Sequence, residues 1–236
     1  EAGMADYRLY AGKPVVIKPK STNFGLGITI LKHNYDETDF KAALQIAFEH
    51  DNTVLIEKFI PGREFRIFII NDEVVGILHR VPANVTGDGV LNIGQLIDMK
   101  NEDPLRGKGY RTPLEKIRKG REEEMFLKQQ GMDTVPKERE VVYLRENSNI
   151  STGGDSIDFT DDIDDSYKAI AVEAAKALNV KITGLDMMIQ DIHAPATPDN
   201  YAIIEMNFNP AIHIHCYPFK GKNRHLNHKM IKALGF

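Results

Sequence analysis

Short apolar runs rich in β-branched residues alternate along this chain with segments whose apolar positions recur at helical spacing. Pro14-Val15-Val16-Ile17-Lys18-Pro19 reads as a buried strand, with Ile28-Thr29-Ile30-Leu31 as its partner. Residues 37–49 place Phe40, Ala43, Leu44, Ala47 and Phe48 at helical spacing. Runs at 53–59, 64–70 and 73–81 predict three strands, the last two joined at Asn71-Asp72 as a hairpin. A short helix is expected over 92–100 and a longer, heavily charged one over 113–130, with Pro113 in its first turn. Residues 140–144 read as a strand and 145–160 as a polar connection. A helix over 162–178 would bury Ile163, Tyr167, Ile170, Ala171 and Ala174. Strands near 183–191 and 201–207, separated by the Pro-rich loop 194–199, precede a last helix over 226–234. This irregular alternation, with its clear hairpin, predicts mixed α+β architecture with antiparallel sheets and not a doubly wound parallel sheet.

Composition narrows the function classes. The 236 residues are 42% hydrophobic and 27% charged, which excludes disorder and fibre. A net charge of −4 argues against nucleic-acid binding, which calls for a basic excess. The basic run from Lys116 to Arg121 is followed at once by Glu122-Glu123-Glu124, and a solvated helix face explains it better than a phosphate patch. No apolar run approaches the ~18 residues of a membrane span, and there is no signal-peptide pattern. The lone Cys216 fits a reducing cytoplasm. Glu1 to Tyr7 reads like the middle of a helix, so the chain is expected to be part of a longer one.

The residues that carry chemistry lie in three places. Glu205 and Asn207 are two apart in a strand and so share a face, and Asp186 can face the same space from the neighbouring strand. Two carboxylates and an amide oxygen are the hard ligands that hold Mg²⁺. Lys18 ends its strand beside the loop Lys20-Ser21-Thr22-Asn23-Phe24-Gly25-Leu26-Gly27, where a lysine and glycine-freed backbone amides suit phosphate. A glycine-bearing hairpin would look the same. Glu57-Lys58-Phe59-Ile60 ends a strand before Pro61-Gly62-Arg63-Glu64, a strand–turn–strand segment by its pattern alone. The run Asp161-Asp162-Ile163-Asp164-Asp165 suits the first turn of a helix. His213-Ile214-His215-Cys216 offers zinc-type donors, but without a fourth ligand group nearby, packing explains it better.

In this order the three features resemble the ATP-grasp superfamily, whose members make an acyl phosphate from a carboxylate and ATP. The resemblance implies two α+β lobes gripping the nucleotide, over residues 1–60 and 61–236, the second with an insertion at about 101–160. It implies Lys18, Ser21, Asn23, Gly25 and Gly27 at the phosphates, Glu57 to Ile60 at adenine, and Glu64 at the ribose. Asp186, Glu205 and Asn207 would hold Mg²⁺ or Mn²⁺, and Arg80 would lie near the transferring phosphate.

The segments from Arg80 to Gly89, Asp103 to Tyr110 and Asn149 to Gly154 resemble the branch shared by cyanophycin synthetase and the bacterial bifunctional glutamate–cysteine ligase/glutathione synthetases. Arg111 to Ile117 and Phe208 to His213 are closer to the latter. The resemblance implies glutathione formation from γ-glutamylcysteine and glycine, with an upstream glutamate–cysteine ligase domain and homodimers. Asn149, Ser151, Thr152, Gly153, Asn209, His213 and Arg224 would serve the substrates. A cyanophycin-type ligase, or an inert nucleotide-binding fragment, are the rival readings.

Overall fold

The computed structural model describes residues 6–22, 26–32, 34–127, 131–145 and 147–236, the side chain of Glu122 excepted. It divides into two compact units, Glu1–Ile60 and Pro61–Phe236. In the first, β1 (Val15–Pro19) pairs antiparallel with β2 (Thr29–Leu31) on one side and β3 (Val54–Lys58) on the other. Val15 and Ile17 point into a core shared with Phe40, Ala43, Leu44 and Ala47 of α1 (Glu37–Phe48). Strand alternation therefore puts Val16 and Lys18 on the other face. A reciprocal capping box between Asp36 and Asp39 starts α1.

The second unit is built on β4 (Arg63–Ile70) and β5 (Glu73–Val81), joined at Asn71 and Asp72, which both take positive φ. That is the geometry a tight two-residue hairpin demands. After them come β6 (Asn84–Thr86), α2 (Ile93–Lys100), β7 (Arg106–Gly107), β8 (Leu114–Glu115), α3 (Arg121–Leu127) and β9 (Val141–Tyr143). Then follow β10 (Asp155–Asp158), α4 (Asp165–Ala177), β11 (Ile182–Ile189), β12 (Tyr201–Asn207), α5 (His213–Cys216) and α6 (Leu226–Ala233). Five strands make one antiparallel sheet in the order β10-β5-β4-β11-β12. One of its faces presents Phe65, Ile67, Ile69, Ile77, Leu185, Met187 and Ile189 to Tyr167, Ala171 and Ala175 of α4. On the opposite face Phe68, Ile70 and Val75 are covered by Cys216 and Leu226 from α5 and α6. The same face carries Arg66, Arg80 and Asp186 further along. The segment from β6 to β9 forms a satellite around Val85, Ile93, Leu96, Ile97, Ile117 and Val142.

Two expectations fail, each for a physical reason. The helix over 113–130 is instead the two-residue strand β8 followed, after Gly120, by the shorter α3. Lys116 N–H donates to Gly107 O at 2.8 Å and Leu114 N–H to Leu105 O at 2.9 Å, so this backbone pairs outward and cannot close helical turns. Residues 128–130 lie outside the described residues. The polar stretch 145–160 contains the sheet's edge strand β10, disguised because Asp155, Ser156 and Asp158 are buried polar groups. His213 to Cys216 is a helical turn, with His215 fully buried and His213 half-buried.

The acidic run divides its labour. Asp164 caps α4, whereas Asp161 joins Asp158 in holding Arg224. The Arg224 guanidinium donates from Nε to both Asp158 oxygens at 2.9 Å and from Nη1 and Nη2 to Asp161 at 2.9 Å. These bonds and the bond from Asp158 N–H to Lys220 O, 2.9 Å, clip the segment before α6 onto the β10 edge.

Two outcomes follow. Ile67 is fully buried between the sheet and α4, so Ile67→Ala is expected to lower unfolding free energy by about 2–5 kcal/mol in urea titration. Burial pushes the Asp158 carboxyl up, but the Arg224 and Thr160 hydrogen bonds outweigh it and hold it below its ordinary value. Its stabilisation is therefore present above the unfolded pKa and lost as pH falls through the lowered folded value. Arg224→Met should cost about 3 kcal/mol at pH 7. The gap from the parent should narrow at pH 3, read as urea midpoints at the two pH values.

Candidate active-site face

In the first unit, the register Val16↔Glu57 and Lys18↔Leu55 sets Lys18 and Glu57 diagonally on the sheet face away from α1. Lys18 Nζ lies 2.7 Å from Glu57 Oε2. Ser21 N–H donates to Asp51 Oδ2 at 2.8 Å. Gly27 has φ +75°, and a Cβ there would come within 2.6 Å of the His50 ring and 2.7 Å of Pro19, so only glycine fits. Asn23 and Gly25 lie outside the described residues. Lys58 is exposed, Ile60 is half-buried, and Phe59 N–H donates to Pro14 O at 3.0 Å. Lys32 Nζ stands 5.5 Å from the Phe59 ring centre.

The second unit gathers charge on the sheet face opposite α4. Arg66 and Asp186 are direct cross-strand partners, as are Asp186 and Glu205. Arg66 Nε donates to Asp186 Oδ1, and its Nη2 donates to Oδ2 at 2.9 Å. Arg80 Nη2 donates to the same Oδ2 at 3.0 Å and also reaches Glu64 Oε1. Glu64 Oε2 in turn accepts from Ser148 Oγ. A Cβ at Gly184 would sit 3.0 Å from Arg66 Cδ and 2.8 Å from Pro210 Cβ, so the bare glycine, two residues before Asp186, makes room for the arginine shaft. The Asp186 side chain is 2% exposed. Burial pushes its carboxyl up, but the Arg66 hydrogen bonds and the Arg80 and Arg66 charges outweigh that and hold it below the ordinary carboxylate range.

Glu205 is exposed at the open side of this row, and Asn207 Nδ2 donates to its Oε1 at 3.2 Å. That leaves the Asn207 amide oxygen available beside the Glu205 carboxylate. Among the described residues no group of three or more His, Cys, Asp or Glu side chains is spaced to hold a metal ion. The third donor of the expected set is an amide, and Asp186 is turned to its arginines. The donor chemistry nevertheless suits a hard divalent cation. Three carboxylates (Glu64, Asp186, Glu205) face two guanidiniums, which leaves the row one negative charge in excess. Arg80 Nε is buried with no hydrogen-bond partner.

Of the residues expected at the substrates, Asn149 to Gly153 form a tight 3-10 turn directly after Ser148. Thr152 Oγ1 donates to Asn149 O at 2.9 Å, Asn209 is exposed, and Ser151 is half-buried. His213 is pushed below its ordinary pKa by burial. Arg224 has its donors on Asp158 and Asp161, as described above. Arg66 and Ser148 were missed by sequence reasoning. The arginine's signal was a charge at the centre of an apolar strand, and the serine's was hidden in a polar loop. A cavity of about 790 Å³ lies on the insertion between Asp98, Asn101, Lys108, Glu115 and Lys116, and none of the expected site residues lines it. Converging charge, not concavity, marks the sheet face.

A family profile described as "D-ala D-ala ligase C-terminus" matches residues 4–95. The glutathione biosynthesis bifunctional protein of Desulfotalea psychrophila is 63% identical over 99% of this chain and 30% of its own length. That of Clostridium perfringens is 57% identical over 97% of the chain and 30% of its own length. The crystal structure of a bifunctional glutathione synthetase from Pasteurella multocida superposes with a TM-score of 0.72 and 48% identity, covering 97% of this chain and 32% of that one. The chain thus spans about 30% of the length of the curated relatives it matches. At 57–63% identity over 97–99% of its residues, the chain corresponds to the ATP-grasp part of the bifunctional glutathione biosynthesis proteins.

Proposed function

We propose that this chain joins γ-glutamylcysteine to glycine at the expense of ATP, giving glutathione, ADP and phosphate. The observation that carries the reading is the row Glu64, Arg66, Arg80 and Asp186, a largely buried and mutually paired set of charges on one sheet face, with Glu205 exposed beside it as the strand partner of Asp186. Structural charge pairs seldom gather so many members without function, because each buried ion costs several kcal/mol of desolvation. The names of the relatives supply the substrate class.

Glu57 to Ile60 would meet adenine, and Glu64 the ribose hydroxyls. Asp186, Glu205 and the Asn207 amide oxygen would hold Mg²⁺ or Mn²⁺, which when bound offsets charge on the terminal phosphates. Lys18 and Arg80 would each offset charge on the γ-phosphoryl group as it passes to the cysteinyl carboxylate. ADP leaves, and an acyl phosphate forms on the dipeptide. Arg66 keeps Asp186 ionised and fixed throughout. The glycine amine attacks the acyl carbon, the C–O bond to phosphate breaks, and the amine gives up a proton. Asn149 to Gly153, with Asn209 and His213, would serve the amino-acid substrates. The reading also includes, as the sequence resemblance implies, an upstream glutamate–cysteine ligase domain in the same polypeptide and a cytoplasmic location, where thiols stay reduced.

Asp186→Asn combined with Glu205→Gln in the full-length protein should lower glutathione formation by about 100-fold or more, with the fold retained by circular dichroism. Glycine should be taken as acceptor in preference to arginine or aspartate. Undiminished glutathione synthesis by the double variant would sink the assignment of these residues, and preference for arginine or aspartate would replace the reaction by amino-acid polymerisation.

A further inference from the structure

The insertion is fastened to the sheet by a buried cation. Arg106, whose side chain is fully buried, donates from Nη1 to Glu115 O at 2.9 Å and to Gly153 O at 3.0 Å, and from Nη2 to Asp155 Oδ1. The other oxygen of Asp155 accepts from Lys100 Nζ at 2.7 Å and from Asn84 Nδ2 at 3.0 Å. Lys100 and Arg106 both stand over the Phe219 ring, at 5.2 and 5.5 Å from its centre. Two cations share one carboxylate here, an arrangement that pure packing would avoid.

What Arg106 fastens is the loop that carries Ser148. Gly154 N–H and Thr152 N–H both donate to Asn149 O at 3.2 Å, and Thr152 Oγ1 donates to Asn147 Oδ1 at 2.8 Å, so the loop is internally braced. Gly153 has φ +95°, and a Cβ there would come within 2.7 Å of Ile117 Cα. A Cβ at Gly154 would come within 2.8 Å of Val81 O. The loop is therefore braced firmly on its seat. Its leading residue, Ser148, is buried and holds Glu64 through Oε2, while Arg80 takes Oε1.

We propose that Arg106 is a positioning residue that acts through this loop and Ser148 to aim Glu64 at the nucleotide. The inference rests on the reading of Glu64 as the ribose acceptor. A planar guanidinium satisfies two carbonyls and a carboxylate at once, whereas a lysine in its place keeps the charge and loses the fork.

The test is a double-mutant cycle of Arg106→Lys and Ser148→Ala in the full-length protein, with Glu64→Gln as reference. ATP affinity is read by calorimetry and Tm by thermal unfolding. Each single variant is expected to weaken ATP binding about fivefold, and the double variant no further than either alone. Ser148→Ala removes one hydroxyl from the loop and keeps the test open should Arg106→Lys not fold. Losses that multiply to about 25-fold in the double variant, or an ATP affinity that stays put while only Tm falls, would overturn the coupling. If Glu64→Gln itself leaves ATP affinity unchanged, the ribose assignment fails and takes the inference with it. If Glu64→Gln weakens binding and the other two variants do not, the positioning role alone fails.

Discussion

A carboxylate in the middle of an apolar strand must be neutralised, and the second unit is organised around doing so for Asp186. Its side chain is 2% exposed, and leaving it unpaired would cost several kcal/mol. The direct cross-strand register places Arg66 opposite it, and Gly184 clears the path for the arginine shaft. Arg80 comes from the next strand over, β5, and divides itself between Asp186 and Glu64. A slip of one residue in β4 would turn Arg66 into the α4 core and Phe65 or Ile67 onto the charged face, so the register is fixed by chemistry and by packing at once.

The same logic extends outward from the sheet. Polar groups at the β10 edge would be orphaned without Arg106, Lys100 and Arg224, each of which meets an aspartate from β10. These pairs tie the insertion and the segment before α6 to the sheet that carries the charged row. In the first unit Lys18 and Glu57 likewise pair across β1 and β3, which leaves the cation partly shielded.

Much of this was legible in the residues. Helical spacing gave α1, α2 and α4 because each buries one stripe, and the apolar strands β4, β5, β11 and β12 announced themselves with the Asn71-Asp72 turn between the first two. The two-residue spacing of Glu205 and Asn207 placed them on one face. What stayed hidden is governed by tertiary pairing. The strand β10 reads as a loop because its aspartates are satisfied by arginines distant in sequence. Residues 113–119 read as helix because their charges are helix-compatible, while the backbone bonds to Leu105 and Gly107 decide otherwise. Arg66 shows no role until its cross-strand partner is known. Arg224 shows charge in the sequence, but only the fold assigns its donors to Asp158 and Asp161.

The central claim is that the face around Asp186 serves transfer of a phosphoryl group to a carboxylate. The most direct measurement is oxygen-isotope transfer, using γ-glutamylcysteine labelled with ¹⁸O in its cysteinyl carboxylate, together with glycine and Mg-ATP. An acyl phosphate route puts one ¹⁸O into the inorganic phosphate for each glutathione formed, seen by mass spectrometry or ³¹P NMR. Glutathione formed with unlabelled phosphate would contradict the account.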